Sequence, residues 1–233
     1  VSRLRRVKEA DELALIRTAA ELADAGFAYI LGKVKPGVTE REFALDLEFF
    51  MRREGAEDVS FDPIVAAAER SALPHAHATD RPVEEGRFLL FDLGCKYLGY
   101  CSDLTRTIVV GKADSKHREI YDLVARSQQV ALDAVRPGAD GVEIDKVARD
   151  VFEGAGVGDA FSHGLGHGVG LEIHESPTLS KASKDILGTD EVVTVEPGIY
   201  FPDLGGVRIE DLVVVTESGA ESLSKSGKEL IEL

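Results

Sequence analysis

Asp92 and Asp103 flank residues 93–102, a segment that reads as a hairpin. If its strands pair so that the two face each other, their β-carbons sit ~5 Å apart on one face. Asp is depleted in strands, and like charges placed opposite are destabilising, so such a pair asks for a cation between them. Either residue alone could instead cap a turn. The segment 163–175, HGLGHGVGLEIHE, holds three of the six histidines. Its alternating glycines oppose a helix, each costing ~1 kcal/mol there, and predict an extended strand with His163, Leu165, His167 and Val169 on one face. Glycine on the other face admits a close backbone or ligand. This is no dinucleotide fingerprint, because Val169 stands where a third glycine belongs, and no zincin, because Thr178 replaces the second histidine after His174-Glu175.

Glu196 ends an apolar run in VEPGIY, and Glu210 sits inside the apolar strand VRIEDLV. A buried carboxylate without a partner costs several kcal/mol, so Glu210 needs a cation. Arg208, on the same face, is one candidate, but it leaves Glu196 and the Asp pair unexplained. Two Asp and two Glu carry four negative charges, which two divalent cations neutralise, and His167 adds a nitrogen donor. Four oxygen donors with one imidazole suit Mn²⁺, Co²⁺, Fe²⁺ or Zn²⁺ better than a thiolate-selecting ion.

Elements must bring these residues together. Apolar residues at helical spacing predict helices over 10–31, 40–53, 119–135 and 143–152. β-Branched runs bounded by Gly and Pro predict strands over 88–93, 104–110, 192–200 and 207–215. VKPG at 34–37 and VRPG at 135–138 each precede a helix ending in EGA, at 54–56 and 153–155. The offsets are 101 (135 − 34) and 99 (153 − 54) residues. Helix pairs followed by strands, twice, predict an α+β domain of two similar halves with the site between them, although Pro-Gly also simply punctuates helix starts.

The 233 residues, 44% hydrophobic, suffice for a single domain spanning 1–233. With no apolar run of ~18 residues and no secretory signal, the chain reads as soluble and cytoplasmic, without a membrane partner. Cys95 and Cys101 fit neither a disulfide framework nor a C-x-x-C site and read as free thiols. A formal charge of −15 disfavours nucleic-acid binding. The first residue is Val, directly ahead of a helical pattern, which suggests processing or truncation.

The series SALPH at 71–75, DLG at 92–94, SDLTRT at 102–107, the 163–175 segment, EPGIY at 196–200 and RIED at 208–211 resembles the ordered motifs of the proline-specific metallopeptidases. That family comprises Xaa-Pro dipeptidase and aminopeptidase P, with methionine aminopeptidase more distant. The resemblance implies the pita-bread fold, a curved antiparallel sheet backed by helices with a pseudo-twofold. It also implies a pair of divalent cations, manganese or cobalt first and zinc or iron as alternatives, held by Asp92, Asp103, His167, Glu196 and Glu210. On it, Asp103 and Glu210 bridge the ions and hold the attacking water, Asp92 binds one ion, and His167 and Glu196 complete the other.

The resemblance further makes Glu196 the proton shuttle, while His75 and His174 bond the scissile carbonyl or the developing oxyanion. His163 lines the substrate pocket and Arg208 orients a ligand carboxylate, Asp92. Substrates would be peptides with proline second, and a homodimer is compatible. Relatives usually carry an additional N-terminal domain, absent ahead of this sequence, which bears on substrate length and assembly. The alternatives are a methionine or broad aminopeptidase of the same fold and a non-catalytic peptide-binding relative. Serine hydrolase chemistry finds no G-x-S-x-G elbow. His77 and His117 receive no role.

Overall fold

The computed structural model describes residues 2–233. Its helices are amphipathic pieces held by their caps. In Ala10–Leu31 the buried face recurs at Ile16, Ala19, Ala20, Ala23, Phe27 and Ile30, the spacing of one helical stripe. Glu40–Arg53 starts at Thr39, whose hydroxyl accepts from the Glu42 amide while Glu42 reaches back, a capping box. It buries Phe43, Leu47 and Met51. The second pair, Ser115–Ala134 and Gly141–Gly154, begins earlier than the apolar periodicity predicts, because Asp114 and Asp140 accept from backbone amides and set each start.

The duplication is visible in the backbone. Gly37 and Gly138, 101 residues apart (138 − 37), both take a positive φ. Their amides donate to Val83 and Leu187. The caps that follow, Thr39 and Asp140, form equivalent bridges to Pro82 and Ile186. Gly55 and Gly156 close the second helix of each pair, again with positive φ.

Each helix pair backs antiparallel strands. In the first half Ile64–Ala67, Arg87–Leu93 and Leu104–Val110 form a three-stranded sheet. In the second, a five-stranded sheet runs Ala220–Ser222, Asp211–Val215, Val192–Val195, Gly166–Gly168, Glu175–Leu179. One core packs Phe27, Phe43, Leu47 and Met51 on Leu89 and Phe91. The other packs Val124, Ile144 and Phe152 against Val193 and Val213, and draws Phe88 and Val109 across from the first sheet. The α+β architecture with two similar halves agrees with the sequence reading.

Three strand expectations need correction. The runs 192–200 and 207–215 each break in two, as Val192–Val195 with Gly198–Phe201 and Gly205–Arg208 with Asp211–Val215. Glu196 and Glu210 therefore stand in the breaks, not inside strands. The extended strand over 163–169 contracts to Gly166–Gly168, with its register disturbed after His167. Leu165 and Val169 turn into two separate cores while His163 and His167 face a cavity, so the four do not share one face. No helix among the described residues is long and apolar enough to cross a membrane.

Candidate active site

All nine candidate residues line one cavity of about 470 Å³ between the halves. Asp92 lies in Arg87–Leu93, paired with Ile64 on one side and Thr105 on the other. Thr105 and not Asp103 is thus its cross-strand partner, which corrects the facing-pair expectation. The strands pinch together beyond Leu93: a β-carbon on Gly94 would lie 2.0 Å from the Ser102 carbonyl oxygen. Asp103 stands just ahead of Leu104–Val110 and reaches the cavity from there.

Glycine also explains His167. A β-carbon on Gly166 would fall 2.0 Å from the Thr194 carbonyl oxygen, so the glycines let this strand nest between its neighbours. His167 Nδ1 lies 3.1 Å from the Gly168 carbonyl. Donation there leaves the Nε2 lone pair free, the usual way a ligating imidazole is oriented. Nε2 is 3.3 Å from Glu196 Oε1 and 3.6 Å from Asp103 Oδ2. Ligand atoms of Asp103, His167 and Glu210 all fall within 4.8 Å of one another.

The strand breaks aim the two glutamates. The Glu196 amide donates to Leu165 at 2.9 Å, and the Glu210 amide to Thr105 at 3.1 Å. The second bond ties the break in one half to a strand of the other. Arg106, buried, donates to the carbonyls of Thr105 and Glu210 and pairs with Asp211 at 2.7 Å.

Arg208 does not serve Glu210 as counterion. It pairs with Asp92, donates through Nε to Thr105 Oγ1 at 3.1 Å, and donates through Nη1 to the Tyr200 hydroxyl at 3.0 Å. Tyr200 in turn meets His163 Nε2 at 2.7 Å, and His163 Nδ1 meets the Gly164 carbonyl at 2.7 Å. A consistent chain runs from Arg208 through Tyr200 to a neutral imidazole, and burial holds the His163 pKa below its ordinary value. His75 and His174 are exposed at the cavity's open side, the His174 ring 4.3 Å from that of His167. His117 lies elsewhere, capping its own helix start against Asp114.

Two buried carboxylate oxygens, Asp92 Oδ1 and Glu210 Oε1, find no hydrogen-bond partner among the described residues. Burial and the charges of neighbouring carboxylates raise the pKa of Asp92, and raise those of Asp103 and Glu210 well above the usual range. Burial opposes the charged form of Glu196 as well, but bonding to His167 and the charges of His167, His163 and Arg208 outweigh it and lower its pKa to about 2. His167 is raised correspondingly: burial works against its cation, and Glu196 overcomes it. One imidazolium and one arginine cannot neutralise four converging carboxylates. A bound divalent cation inverts that balance and supplies the missing partners, and the oxygen-rich donor set with one imidazole fits it.

Sequence reading overlooked Thr105 and Tyr200. Thr105 stood in the motif SDLTRT without a role, one of two threonines alternating along LTRTIVV, a strand buried on both faces. Tyr200 stood in the motif EPGIY but received no role, since an aromatic at a strand end is ordinary core.

Residues 14–217 match the profile of metallopeptidase family M24. Over 228 residues the chain is 46% identical to an Xaa-Pro dipeptidase of Pyrococcus furiosus, covering 98% of this chain and 66% of the relative. Among solved structures, an Xaa-Pro dipeptidase from Bacillus anthracis superposes with a TM-score of 0.98 at 48% identity, covering 100% of this chain and 65% of that one. An X-Pro aminopeptidase from Thermotoga maritima gives 0.97 at 40%, covering 100% and 66%. The chain thus spans about two thirds of the length of the relatives it matches. A convergent acid-and-histidine cavity between duplicated helix-backed antiparallel halves is the pita-bread site, and with this profile match the chain belongs to metallopeptidase family M24.

Proposed function

We propose that this chain hydrolyses the peptide bond between an N-terminal residue and proline, in the cytoplasm, with residues 1–233 as one catalytic domain. The supporting observation is the convergence of Asp92, Asp103, His167, Glu196 and Glu210 on one cavity, with two buried carboxylate oxygens unpartnered. In this reading the five hold two divalent cations, manganese or cobalt. Such ions supply Lewis-acid polarisation and lower the pKa of water toward neutrality.

The protein's own residues do the rest. Glu196 takes the proton of the attacking water and passes it to the leaving nitrogen. His75 and His174 donate to the scissile carbonyl oxygen as charge builds there, a role in which one donor is worth ~10²–10³ in rate. Arg208 fixes Asp92, and Tyr200 fixes both Arg208 and His163.

Similarity to both a dipeptidase and an X-Pro aminopeptidase favours testing peptides of two lengths. The experiment is hydrolysis of Ala-Pro and Ala-Pro-Ala by chelated protein before and after manganese or cobalt is restored, with Glu196→Gln alongside. Metal-restored cleavage that the variant lacks is expected. Cleavage of Met-Gly-Gly instead would point to a methionine aminopeptidase, and cleavage of none of the three would overturn the peptidase reading.

A further inference from the structure

A dipeptide carries a free carboxylate next to its scissile bond, and the cavity is hostile to it. Five acidic side chains line the wall, Asp62 with Asp92, Asp103, Glu196 and Glu210. An anionic substrate end needs a donor not already engaged. Arg208 is committed to Asp92, Thr105 and Tyr200 and reaches the Pro74 carbonyl at 3.4 Å. Both His163 nitrogens are taken, by Gly164 and Tyr200, and His167 belongs to the carboxylate cluster. In the reading above, His75 and His174 attend the scissile carbonyl. One cavity-lining imidazole is left, His77, whose ring has no hydrogen-bond partner among the described residues.

His77 is exposed, yet its backbone is fixed. Its carbonyl accepts from Arg70 Nη2 at 2.5 Å. Arg70 Nε in turn donates to the fully buried Glu40 carboxylate, at 3.0 Å to Oε2. The same carboxylate accepts from the amides of Ala67 and Thr79 and from the Thr79 hydroxyl, so it staples both ends of the loop 68–78. At the loop's middle Ser71 Oγ accepts from the Gly206 amide at 2.8 Å. The stapled loop thus holds the backbone that carries this imidazole in place before a ligand arrives, leaving only the ring to be ordered on binding.

We propose that His77 is a specificity-determining residue that donates a hydrogen bond to the free carboxylate of a dipeptide substrate, favouring dipeptides over longer or amidated peptides. This rests on the Xaa-Pro reading. The test compares Ala-Pro with Ala-Pro-amide in the manganese-loaded protein and in His77→Ala and His77→Gln. Losing one hydrogen bond to a charged group should raise KM for Ala-Pro about tenfold in His77→Ala, leave kcat and the amide's KM unchanged, and be largely rescued by the donor retained in His77→Gln. Equal effects on acid and amide, or none, would overturn the assignment while leaving the peptidase reading intact.

Calorimetric binding of the two peptides to Glu196→Gln, with and without His77→Ala, gives a readout independent of turnover. A preference for the acid that survives His77→Ala overturns the inference, and so does absence of any preference. Failure of the parent protein to cleave either peptide, by contrast, counts against the peptidase reading itself.

Discussion

Thr105→Val removes one hydroxyl from the cluster and keeps a β-branched strand residue. That hydroxyl donates to Glu210 Oε2 at 2.6 Å and accepts from Arg208 Nε at 3.1 Å, and all three side chains are buried. Glu210 Oε1 already lacks a partner, so the variant leaves the whole carboxylate unsupported and an arginine nitrogen unpaired. A buried hydrogen bond to a charged group is worth ~1.5–3 kcal/mol, so the metal-free protein should lose about 3 kcal/mol for the two. The bond also helps hold the Glu210 proton off. Without it a cation must displace that proton at greater cost, and removing such an outer partner typically weakens metal affinity 10–100-fold.

Thr107→Val is the control, since its hydroxyl bonds only the Arg208 carbonyl at 3.0 Å and amide at 3.2 Å. It should cost ~1–2 kcal/mol and leave metal affinity alone. Urea unfolding of chelated protein and calorimetric titration with manganese measure both quantities. Parental manganese affinity in Thr105→Val, or equal weakening in Thr107→Val, would refute the claim that Thr105 orients Glu210.

Glu40→Gln replaces a fully buried carboxylate that meets Arg70, Thr79 and the Ala67 amide, and should cost about 3 kcal/mol in urea unfolding while exposing the loop 68–78 to protease; parental stability would show the staple to be dispensable. Gly166→Ala places a β-carbon 2.0 Å from the Thr194 carbonyl and should lower the melting temperature steeply or prevent folding, whereas a parental melt would mean that the strands part easily. In chelated protein Asp92, Asp103 and Glu210 have raised pKa values, so the folded state binds more protons than the unfolded one and stability falls as pH rises from about 4 upward. His167, also raised, adds a loss as pH passes through its folded pKa, above about 6.5. Glu196 acts oppositely but only as pH falls toward about 2. The melting-temperature gain on adding manganese should therefore widen between pH 5.5 and 7.5, and a gain that shrinks over that range would contradict the cluster's electrostatics.

Most of the fold was legible because apolar periodicity and Pro-Gly turns act locally: the helices expected over 10–31 and 40–53 form over those bounds, whereas the later two start ahead of their apolar stripes, where Asp114 and Asp140 cap them. The strand interruptions were hidden because Val195, Ile199, Val207, Ile209 and Val213 are all core residues, so hydrophobicity runs through each break without a change of pattern. What breaks the ladder is tertiary: Glu196 is held by a bond to Leu165 and Glu210 by a bond to Thr105, partners about 30 and 105 residues away in sequence. The likeliest sequence counterion for Glu210, Arg208, lies two residues off, yet faces Asp92 instead, because the break between Arg208 and Asp211 spoils the period-two alternation on which the expectation rested.

These breaks are also what lets a duplicated scaffold make an asymmetric site. Asp92 and Glu196 are 104 residues apart (196 − 92), the same offset that separates the equivalent bridges at Pro82 and Ile186. Asp103 and Glu210 are 107 apart (210 − 103), so the halves have drifted only slightly around the site. Each half supplies carboxylates near corresponding strand ends, which brings four acids to one cavity, and burial, with their mutual repulsion, raises the pKa values of Asp92, Asp103 and Glu210. The second half alone adds the imidazole of His167, between two glycines that a symmetric copy would need and the first half lacks. Repulsion shared by both halves creates the demand for cations, and His167 with Arg208 makes the two sides of the cluster chemically different.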